Sequence, residues 1–551
     1  MKVRWEPTST SKARVILAFG DPVEVLETAN GFTRVRVLTY FDGPFEGFVK
    51  GTPPVRTTGV LSFSLVDVQQ GDGMVLQTPS GKVAFIDGGD NTLFARHAAA
   101  RFLHQQTRAD APLEVEAIIV THGDADHFDG LNDIVRSETL ADHDARKRLF
   151  IHPKRVFHNG LVKAPTSVPH VAQLGRTVLV EGRPHIVDLY EDSRTAPPAA
   201  VNSVFARWHE SLRHWETRGP IACARLAHGM DAAAAFDFLE DDGVHVELQG
   251  PFTVPVADPV TGTTVPALPF LSKPRDSAVM HTEPGTIAGS PSVSHTINGH
   301  SVALRLSFGN VRLNLTGDLN RDAMDRMLER LAPGELACEI VKAPHHGSAD
   351  FDFGALQAMQ PVVAIVSSGD ESALKEYIHP RATLMAALGH VMRGDTGVIL
   401  ITELAAFFAV RNETYTVADL KRFFNDRKTD TFTGADVARL LSKSKAEGGP
   451  GGMFFGFERT NFGIVHIRTD GERVLVFTPQ RQGRPERGLP LHGVGHARRD
   501  LRAWTDHAVA RVRPGVTPST DISRINRRQY WPHLGADPGV YKNANKERAR
   551  F

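Results

Sequence analysis

Apolar residues in the first fifty positions fall into short runs that alternate with polar residues, and this period of two is typical of half-buried β-strands. The predicted strands of this segment are 14–18, 23–26 and 33–38. Asn30-Gly31 favours a tight hairpin turn between the last two, and residues 41–44 form another turn cluster. The pattern therefore predicts a small all-β unit, followed by a short linker at 52–57.

From residue 58 onward, runs of strand type alternate with stretches of helical periodicity, which indicates a layered α/β fold. The predicted strands are 61–68, 74–78, 82–87, 116–120, 244–248, 301–306, 312–315, 339–342, 362–366, 462–471 and 474–477. The predicted helices are 92–106, 201–218, 320–331 and two short ones within 416–443. A stretch rich in Pro, Thr, Gly and Ser at 251–294 shows neither pattern, so we predict a surface insertion there.

Length and composition indicate a globular protein with more than one structural unit. A chain of 551 residues exceeds what one core usually organises, so two or three units are expected. Two cysteines, Cys223 and Cys338, are too few for a disulfide framework or a thiolate-rich zinc site, and they fit a reducing compartment. The start has no apolar signal region and no window is apolar enough to cross a bilayer. We therefore expect a cytoplasmic protein with no membrane partner.

Charge is unevenly distributed, although the formal net charge is zero. Residues 481–551 contain fifteen Lys and Arg against six Asp and Glu, so this basic extension carries about +9. Such an extension on a neutral protein suggests a polyanionic partner, of which nucleic acid is the leading candidate. A solvated, partly disordered tail would have the same composition.

The segment VTHGDADHFDG at 120–130 places two histidines and three aspartates directly after a buried strand. Alternate residues of an extended turn point together, so His122 and Asp124 can share one cation. Asp126 and His127 can turn toward a second cation, since histidine nitrogen and aspartate oxygen both bind divalent metals. A solvated acidic loop is the alternative, but this density of ligand-type side chains favours a metal site.

This segment resembles the H-x-H-x-D-H signature of the metallo-β-lactamase superfamily, with Asp124 in place of the second histidine. That variant, followed by Asp129-Gly-Leu131, is similar to the hydrolase domain of the ComEC/Rec2 DNA-uptake proteins and their soluble relatives. Other segments resemble this family in the same order along the chain: LVDVQQGDGMVLQTPSGKVAFIDGG, NGHSVALRLSFGNVRLNLTGDLN, VKAPHHGSAD, and AIVSSGD with YIHP. The resemblance spans about 61–400 and 460–478.

The resemblance implies an α/β fold, the metallo-β-lactamase αββα sandwich. The first unit, which ends in GFVKG, resembles bacterial SH3-like small barrels. The expected domains are an SH3-like barrel at 1–57, a hydrolase at 58–480 with insertions near 160–295 and 405–455, and the basic extension at 481–551.

The resemblance also implies further site residues. Asp318 would be the carboxylate that bridges two metals, His379 would be a late histidine ligand of the second metal, and Asp87 would be the buried aspartate behind the site. His345 and His346 are adjacent, so their side chains diverge if the backbone is extended. We assign His346 to metal binding and His345 to protonation of the leaving group, and the reverse assignment is the alternative.

The third ligand of the first metal departs from the superfamily pattern. Many members have a histidine in a turn before the strand that precedes TGD, and Asn298-Gly-His300 occupies that turn here. Either Asn298 or His300 could serve as ligand or substrate-binding residue, and so could His158. An ordinary loop role is equally compatible with His158 and His300.

Two divalent cations would lower the pKa of a bound water, orient the hydroxide and offset charge on the leaving oxygen, with Asp126 and His345 taking part in catalysis. The carboxylate-rich first site favours Mn²⁺ over Zn²⁺. No phosphate-loop, zinc-protease or serine-hydrolase motif competes. The leading hypothesis is a metal-dependent phosphodiesterase acting on DNA. The alternatives are a hydrolase of a small ester or lactam, which would need an enclosed apolar pocket, and a scaffold that binds a protein through its SH3-like unit and has a vestigial metal site.

Overall fold

The computed structural model describes residues 1–39, 43–274, 289–369, 379–394, 397–404 and 464–478, and four two-residue strands at 409–410, 413–414, 460–461 and 510–511. Over these residues the protein has a mixed α/β fold with several sheets. The helices predicted within 416–443, most of the predicted insertion near 405–455, and the basic extension apart from 510–511 lie outside the described residues.

The first unit is a five-stranded antiparallel sheet, which confirms the strands predicted there. In spatial order its strands are Ala13–Ile16, Lys2–Arg4, Phe45–Lys50, Phe32–Val37 and Val23–Ala29. Val35, Val37 and Val49 belong to one small buried cluster of this sheet. Asn30 and Gly31 both have positive φ, as the predicted hairpin turn requires.

A nine-stranded mixed sheet, called the large sheet below, follows the linker. In spatial order its strands are Ala222–Arg225, Arg155–His158, Ala117–Ile119, Val83–Asp87, Gly73–Gln77, Leu61–Leu65, Val465–Thr469, Arg473–Phe477 and Ala510–Arg511. Neighbouring strands are parallel from Ala222–Arg225 to Val83–Asp87 and antiparallel beyond it. The predicted hairpin of 462–471 and 474–477 is confirmed by the strands Val465–Thr469 and Arg473–Phe477. Its strand Val465–Thr469 pairs with Leu61–Leu65.

A six-stranded mixed sheet also consists of an antiparallel part and a parallel part. In spatial order its strands are Val244–Gly250, Ala303–Phe308, Val311–Leu315, Ile340–Lys342, Val363–Val366 and Val398–Ile401. The first three are antiparallel neighbours, and the strands from Val311–Leu315 onward are parallel. The remaining two-stranded sheets pair Leu113–Val115 with Ile151–Pro153, Ser272–Pro274 with Gly289–Pro291, Glu403–Leu404 with Thr460–Asn461, and Ala409–Val410 with Glu413–Thr414.

The large and six-stranded sheets share one apolar core. Phe63 and Leu65 of the large sheet lie in the same buried cluster as Leu304 and Leu306 of the six-stranded sheet. These residues alternate along their strands, so each sheet presents one face to this shared core. The opposite face of each sheet contacts helices through a separate buried cluster.

The helices lie between strands, as the alternating pattern predicts. The α-helices are Leu93–Phe102, Ala125–Phe128, Asn132–Ser137, Ser203–Glu216, Ala232–Ala235, Asp237–Glu240, Val293–Gly299, Arg321–Arg330, Pro333–Leu336, Phe353–Met359 and Ala382–Val391. The 3₁₀ helices are Leu103–Gln105, Asp129–Leu131, Asp142–Lys147, His170–Ala172, Ser193–Thr195, Pro198–Ala200 and Pro344–Gly347. Ser203–Glu216 begins after Asn202, whose side chain accepts hydrogen bonds from two backbone amides of the first turn. Its apolar residues Phe205, Trp208 and Leu212 are spaced three and four apart and pack against the large sheet.

The segment at 251–294, predicted to be a surface insertion with neither strand nor helix pattern, contains regular strands. Val254–Ala257 and Thr264–Pro269 form a hairpin, which joins Thr177–Val180 and Arg183–Ile186 in a four-stranded antiparallel sheet. Turn-rich composition hid these strands because prolines occupy positions within them. Residues 275–288 lie outside the described residues.

The first unit contacts the large sheet through charged residues. Arg468 donates a hydrogen bond to the carbonyl oxygen of Phe19 (2.9 Å) and pairs with Asp21 (2.5 Å). Arg56 in the linker pairs with Asp470 at 2.6 Å. Within the described part of the chain, no helix combines the length and the apolar character needed to cross a bilayer.

Candidate metal centre

The histidines and aspartates singled out from the sequence mostly follow strands of the two larger sheets. Asp87 ends a strand of the large sheet, and His122 follows the next parallel strand. Asp318 and His345 follow two parallel strands of the six-stranded sheet. Because parallel strands end at the same edge of a sheet, the topology brings these loops together at one end of the shared core.

Asp87 fixes the loop that follows the strand Ala117–Ile119. The Asp87 carboxylate accepts hydrogen bonds from the Thr121 amide (2.8 Å) and hydroxyl (2.7 Å). It also accepts one from His127 Nδ1 at 2.9 Å, and both side chains are fully buried. This contact holds the His127 ring so that Nε2 points away from Asp87. A carboxylate commonly holds a metal-binding histidine in this way, by accepting the N–H of the ring nitrogen that does not bind the metal.

Asp318 lies at the centre of the cluster. Its Oδ2 atom is 3.1 Å from Nε2 of His346, 3.3 Å from Nε2 of His127, 3.8 Å from Nε2 of His345 and 4.0 Å from Nε2 of His122. The Nε2 atoms of His127 and His346 are themselves 3.3 Å apart. Four histidines from two sheets therefore converge on one buried carboxylate oxygen.

The backbone of the two adjacent histidines is not extended, so the extended conformation considered for them in the sequence does not occur. His345 and His346 have φ values of 47° and 52°, which lie in the left-handed region. Non-glycine residues in this region are strained by about 1–3 kcal/mol each, and such strain concentrates at functional sites. The rings nevertheless diverge, with centroids 6.0 Å apart. The His346 side chain is 1% exposed inside the cluster, whereas that of His345 is 22% exposed at its edge.

Asp126 lies beside His346 on the open side of the cluster. Its Oδ2 atom is 3.5 Å from His346 Nε2 and accepts a hydrogen bond from Gln70 at 3.4 Å. About a quarter of the Asp126 side chain is exposed, so this carboxylate is accessible from solvent.

Asp72 is the member of the cluster that the sequence argument missed. Its ligand atom lies within 4.8 Å of those of His127, Asp318 and His346, and this buried group could hold a metal ion. Asp72 also contacts Lys342, whose ammonium is fully buried and donates to the carbonyl oxygen of Gly317 (2.9 Å). In the sequence, Asp72 looks like an ordinary turn residue between two glycines. Only the tertiary fold reveals that the turn lies under the histidine loop.

Asp124 has partners different from those of Asp126. Its Oδ1 atom pairs with Lys163 at 2.5 Å. The side-chain amide of Asn298 hydrogen-bonds to both Asp124 and His345: its nitrogen donates to Asp124 Oδ2 (2.9 Å), and its oxygen accepts from His345 Nε2 (3.3 Å). Of the three candidates for the third position of the first metal, the structure thus brings Asn298 to Asp124.

The other two candidates have partners away from the cluster. His158 accepts a hydrogen bond from the Gly160 amide (3.0 Å) and contacts the carbonyl oxygen of Glu191 (3.2 Å). His300 Nε2 donates to the carbonyl oxygen of Pro269 at 2.8 Å. Burial lowers the pKa of each of these histidines to about 4, which keeps the rings neutral. His379 is buried beside His345, with ring centroids 6.0 Å apart, and lies outside the four-residue group.

The electrostatics of the cluster reflect its excess of carboxylates. Burial alone would lower the pKa of His127, but Asp318 and Asp87 raise it well above its ordinary value. Burial likewise opposes ionisation of Asp318, yet His346 and His127 hold its pKa well below the usual range. His122 differs, since burial lowers its pKa and leaves the ring neutral. The centre is thus arranged to hold positive charge between its carboxylates.

The donor set fits a divalent metal. His122 Nε2 and Asp318 Oδ1 are buried and make no hydrogen bond to any described residue, although buried polar atoms normally have a partner. Imidazole nitrogen and carboxylate oxygen are ligands that Mn²⁺ and Zn²⁺ both accept. In comparisons with known proteins, no family model matches this chain and no curated protein matches it.

Proposed function

We propose that this chain is a metal-dependent hydrolase of phosphodiesters, with DNA as its leading substrate. The observation that carries the proposal is the convergence of four histidine Nε2 atoms on Asp318 Oδ2, with Asp126 open to solvent beside them. A metal-dependent hydrolase that works at neutral pH combines such buried ligands with a side that substrate can reach.

We propose that the fold is the αββα sandwich of the metallo-β-lactamase superfamily. The shared core between the two larger sheets, with helices against their outer faces, supports this assignment. The five-stranded first unit supports an SH3-like barrel in the same way.

Two groups of residues would hold two divalent ions. His122 and Asp124 form one group, and Asp126, His127 and His346 form the other. Asp318 would serve both ions, since its Oδ2 atom is 4.0 Å from Nε2 of His122 and 3.1 Å from Nε2 of His346. His379, whose ring centroid is 6.0 Å from that of His345, would be a further ligand of the second ion. When bound, the ions would supply a nucleophile at neutral pH and offset charge on the phosphoryl oxygens.

The chain's own residues would perform the remaining tasks. His345 is partly exposed at the edge of the cluster and is held by Asn298, so it would deliver a proton to the leaving oxygen. Lys163 lies near the rim with 21% of its side chain exposed and would attract the phosphate backbone. The basic extension, outside the described residues, would add sequence-independent contacts to DNA.

The open side of the cluster supports a polymeric substrate over a small ester or lactam. About a quarter of the Asp126 side chain is exposed there. An open cluster suits a polymer that approaches from outside. A scaffold without activity would have no need for this buried set of ligands.

The test combines metal analysis with cleavage assays. Purified protein should contain about two divalent ions per chain and cleave single- or double-stranded DNA with Mn²⁺. Asp318→Ala should lose both ions and all cleavage. Asp142→Asn, which changes an exposed aspartate that pairs with Arg148, is the control and should behave as wild type. Cleavage of esters but not of DNA would favour the ester hydrolase, and full metal content in Asp318→Ala would refute the bridging role.

A further inference from the structure

Asp72 and Asp87 each lie behind one histidine of the cluster, Asp87 at 2.9 Å and Asp72 at 3.4 Å from the Nδ1 atom. Asp87 accepts a hydrogen bond from Nδ1 of His127, and Nε2 of that ring then contacts Asp318. On the other side of the cluster, Asp72 Oδ1 is 3.4 Å from Nδ1 of His346, and Nε2 of that ring also contacts Asp318. Each ring thus has a carboxylate behind it and Asp318 in front of it.

The second oxygen of Asp72 is already engaged. Asp72 Oδ2 contacts the Lys342 ammonium, and both side chains are fully buried. The backbone holds Asp72 in this place as well, because its amide donates to the carbonyl oxygen of Asp126 (3.2 Å) and its own carbonyl accepts from the Gly89 amide (2.7 Å). With Oδ2 against the ammonium and Oδ1 facing Nδ1 of His346, Asp72 has the contacts of a carboxylate that supports a histidine.

We propose that Asp72 is a positioning residue, which with Lys342 fixes His346 as the Nδ1–H tautomer so that its Nε2 atom is free to bind metal. Asp72 is then not a ligand, although it lies within the four-residue group. The inference rests on the proposed metal centre. It goes further by assigning Lys342 and Asp72 to a charge-balanced pair that prepares one ligand before any ion binds.

The chemistry of asparagine makes the proposal testable. In the variant Asp72→Asn, the new amide would have one acceptor oxygen, but Lys342 and His346 Nδ1–H both need an acceptor. The buried ammonium would take the oxygen, and the amide nitrogen would then face Nδ1 and favour the wrong tautomer. Removal of the ammonium in the double variant Asp72→Asn/Lys342→Met would return the oxygen to His346.

Co²⁺ titration followed by visible absorption, with equilibrium dialysis for stoichiometry, measures the effect without any activity assay. We expect Asp72→Asn to bind the same number of ions as wild type with an affinity 10- to 100-fold weaker, as outer-shell changes at metal sites do. Asp87→Asn is the matched control and should show a loss of the same size. The double variant should recover most of the lost affinity, and it also covers the case in which Asp72→Asn fails to fold.

Other results would overturn the inference. If Asp72→Asn and the double variant both bind fewer ions at saturation, Asp72 is a ligand. If the affinity of Asp72→Asn equals that of wild type, or the double variant binds no better than the single one, Asp72 does not act through His346. A wild-type chain that binds Co²⁺ but cleaves no DNA would refute the proposed function and leave this inference standing. A wild-type chain that binds no Co²⁺ would refute both.

Discussion

The two adjacent histidines should fail in different ways when each is replaced. Because both have left-handed backbones, the suitable substitution is asparagine, which adopts this conformation more readily than alanine. His345→Asn removes a ring that is partly exposed and held by Asn298, so the free energy of unfolding should fall by only about 0.5–1.5 kcal/mol. His346→Asn removes the ring closest to Asp318, at 3.1 Å, and should reduce metal content.

The size of the kinetic effect follows from these positions. Loss of a general acid slows cleavage about 10²- to 10⁴-fold, equivalent to about 3–5 kcal/mol in the barrier. That loss should shrink on a nitrophenyl phosphodiester, because a good leaving group departs without a proton. His345→Asn should therefore keep its metals and regain most of its activity on the activated substrate, whereas His346→Asn should be slow on both substrates.

The assay is kcat/KM on DNA and on the nitrophenyl diester, with metal content measured on the same preparations. If the two variants exchange behaviours, the roles of His345 and His346 are reversed. If both keep their metals and neither responds to the leaving group, the pair binds phosphate and neither ring donates the proton.

Two further predictions concern stability. Burial opposes ionisation of Glu339, but hydrogen bonds from Arg312 hold its pKa below the ordinary value. The contribution of Glu339 to the free energy of unfolding is therefore present above about pH 4.5 and is lost as pH falls through the lower folded-state pKa. Glu339→Gln should lower the free energy of unfolding by about 3–5 kcal/mol at pH 7 and flatten its decline in acid, which denaturant titration at several pH values would measure; an unchanged decline would refute the assignment. Gly71→Ala should lower the melting temperature and the metal affinity together, since its φ is +103° and a Cβ would lie 1.8 Å from the Asp126 carbonyl oxygen. Gly81→Ala is the control, with φ of +98° but its nearest neighbour at 3.9 Å, and should show only the backbone strain of about 1–2 kcal/mol; equal losses in both variants would contradict the close-contact argument.

Much of the fold could be predicted from local pattern. Most strands of the two larger sheets and the helices at 93–102, 203–216 and 321–330 were predictable because each has a clear period and clear turn residues at its ends. The sheet strands Arg155–His158, Ala222–Arg225, Val398–Ile401 and Ala510–Arg511 were not predicted. The strands at 254–257 and 264–269 were missed because their prolines and the Asp-Pro and Thr-Gly pairs between them suggest a loop, and pairing with a distant hairpin overrides that preference.

Without the family resemblance, which implied Asp87, Asp318 and His346, the candidate site was predictable only where its residues are adjacent in sequence. The histidine loop at 122–127 is recognisable by its density of ligand-type side chains. Asp72 and Lys342 could not be recognised as part of the site, because an aspartate in a glycine turn and a lysine at the end of a strand have common local roles. Asn298 and His300 could not be separated either, since the helix end that turns one toward Asp124 and the other toward Pro269 is a tertiary feature.

The pairing of Leu61–Leu65 with Val465–Thr469 has a consequence for synthesis of the protein. Ser64 and His466, which contact each other at 2.8 Å, are separated by 402 residues. A ribosome that adds 5–20 residues per second takes roughly 20 to 80 s to make that interval. During this time the first strand of the large sheet has an open edge, which is the kind of surface that other chains can join. The large sheet can thus be completed only after residue 469 has been made. A nascent chain truncated before residue 465 should aggregate or be held by chaperones.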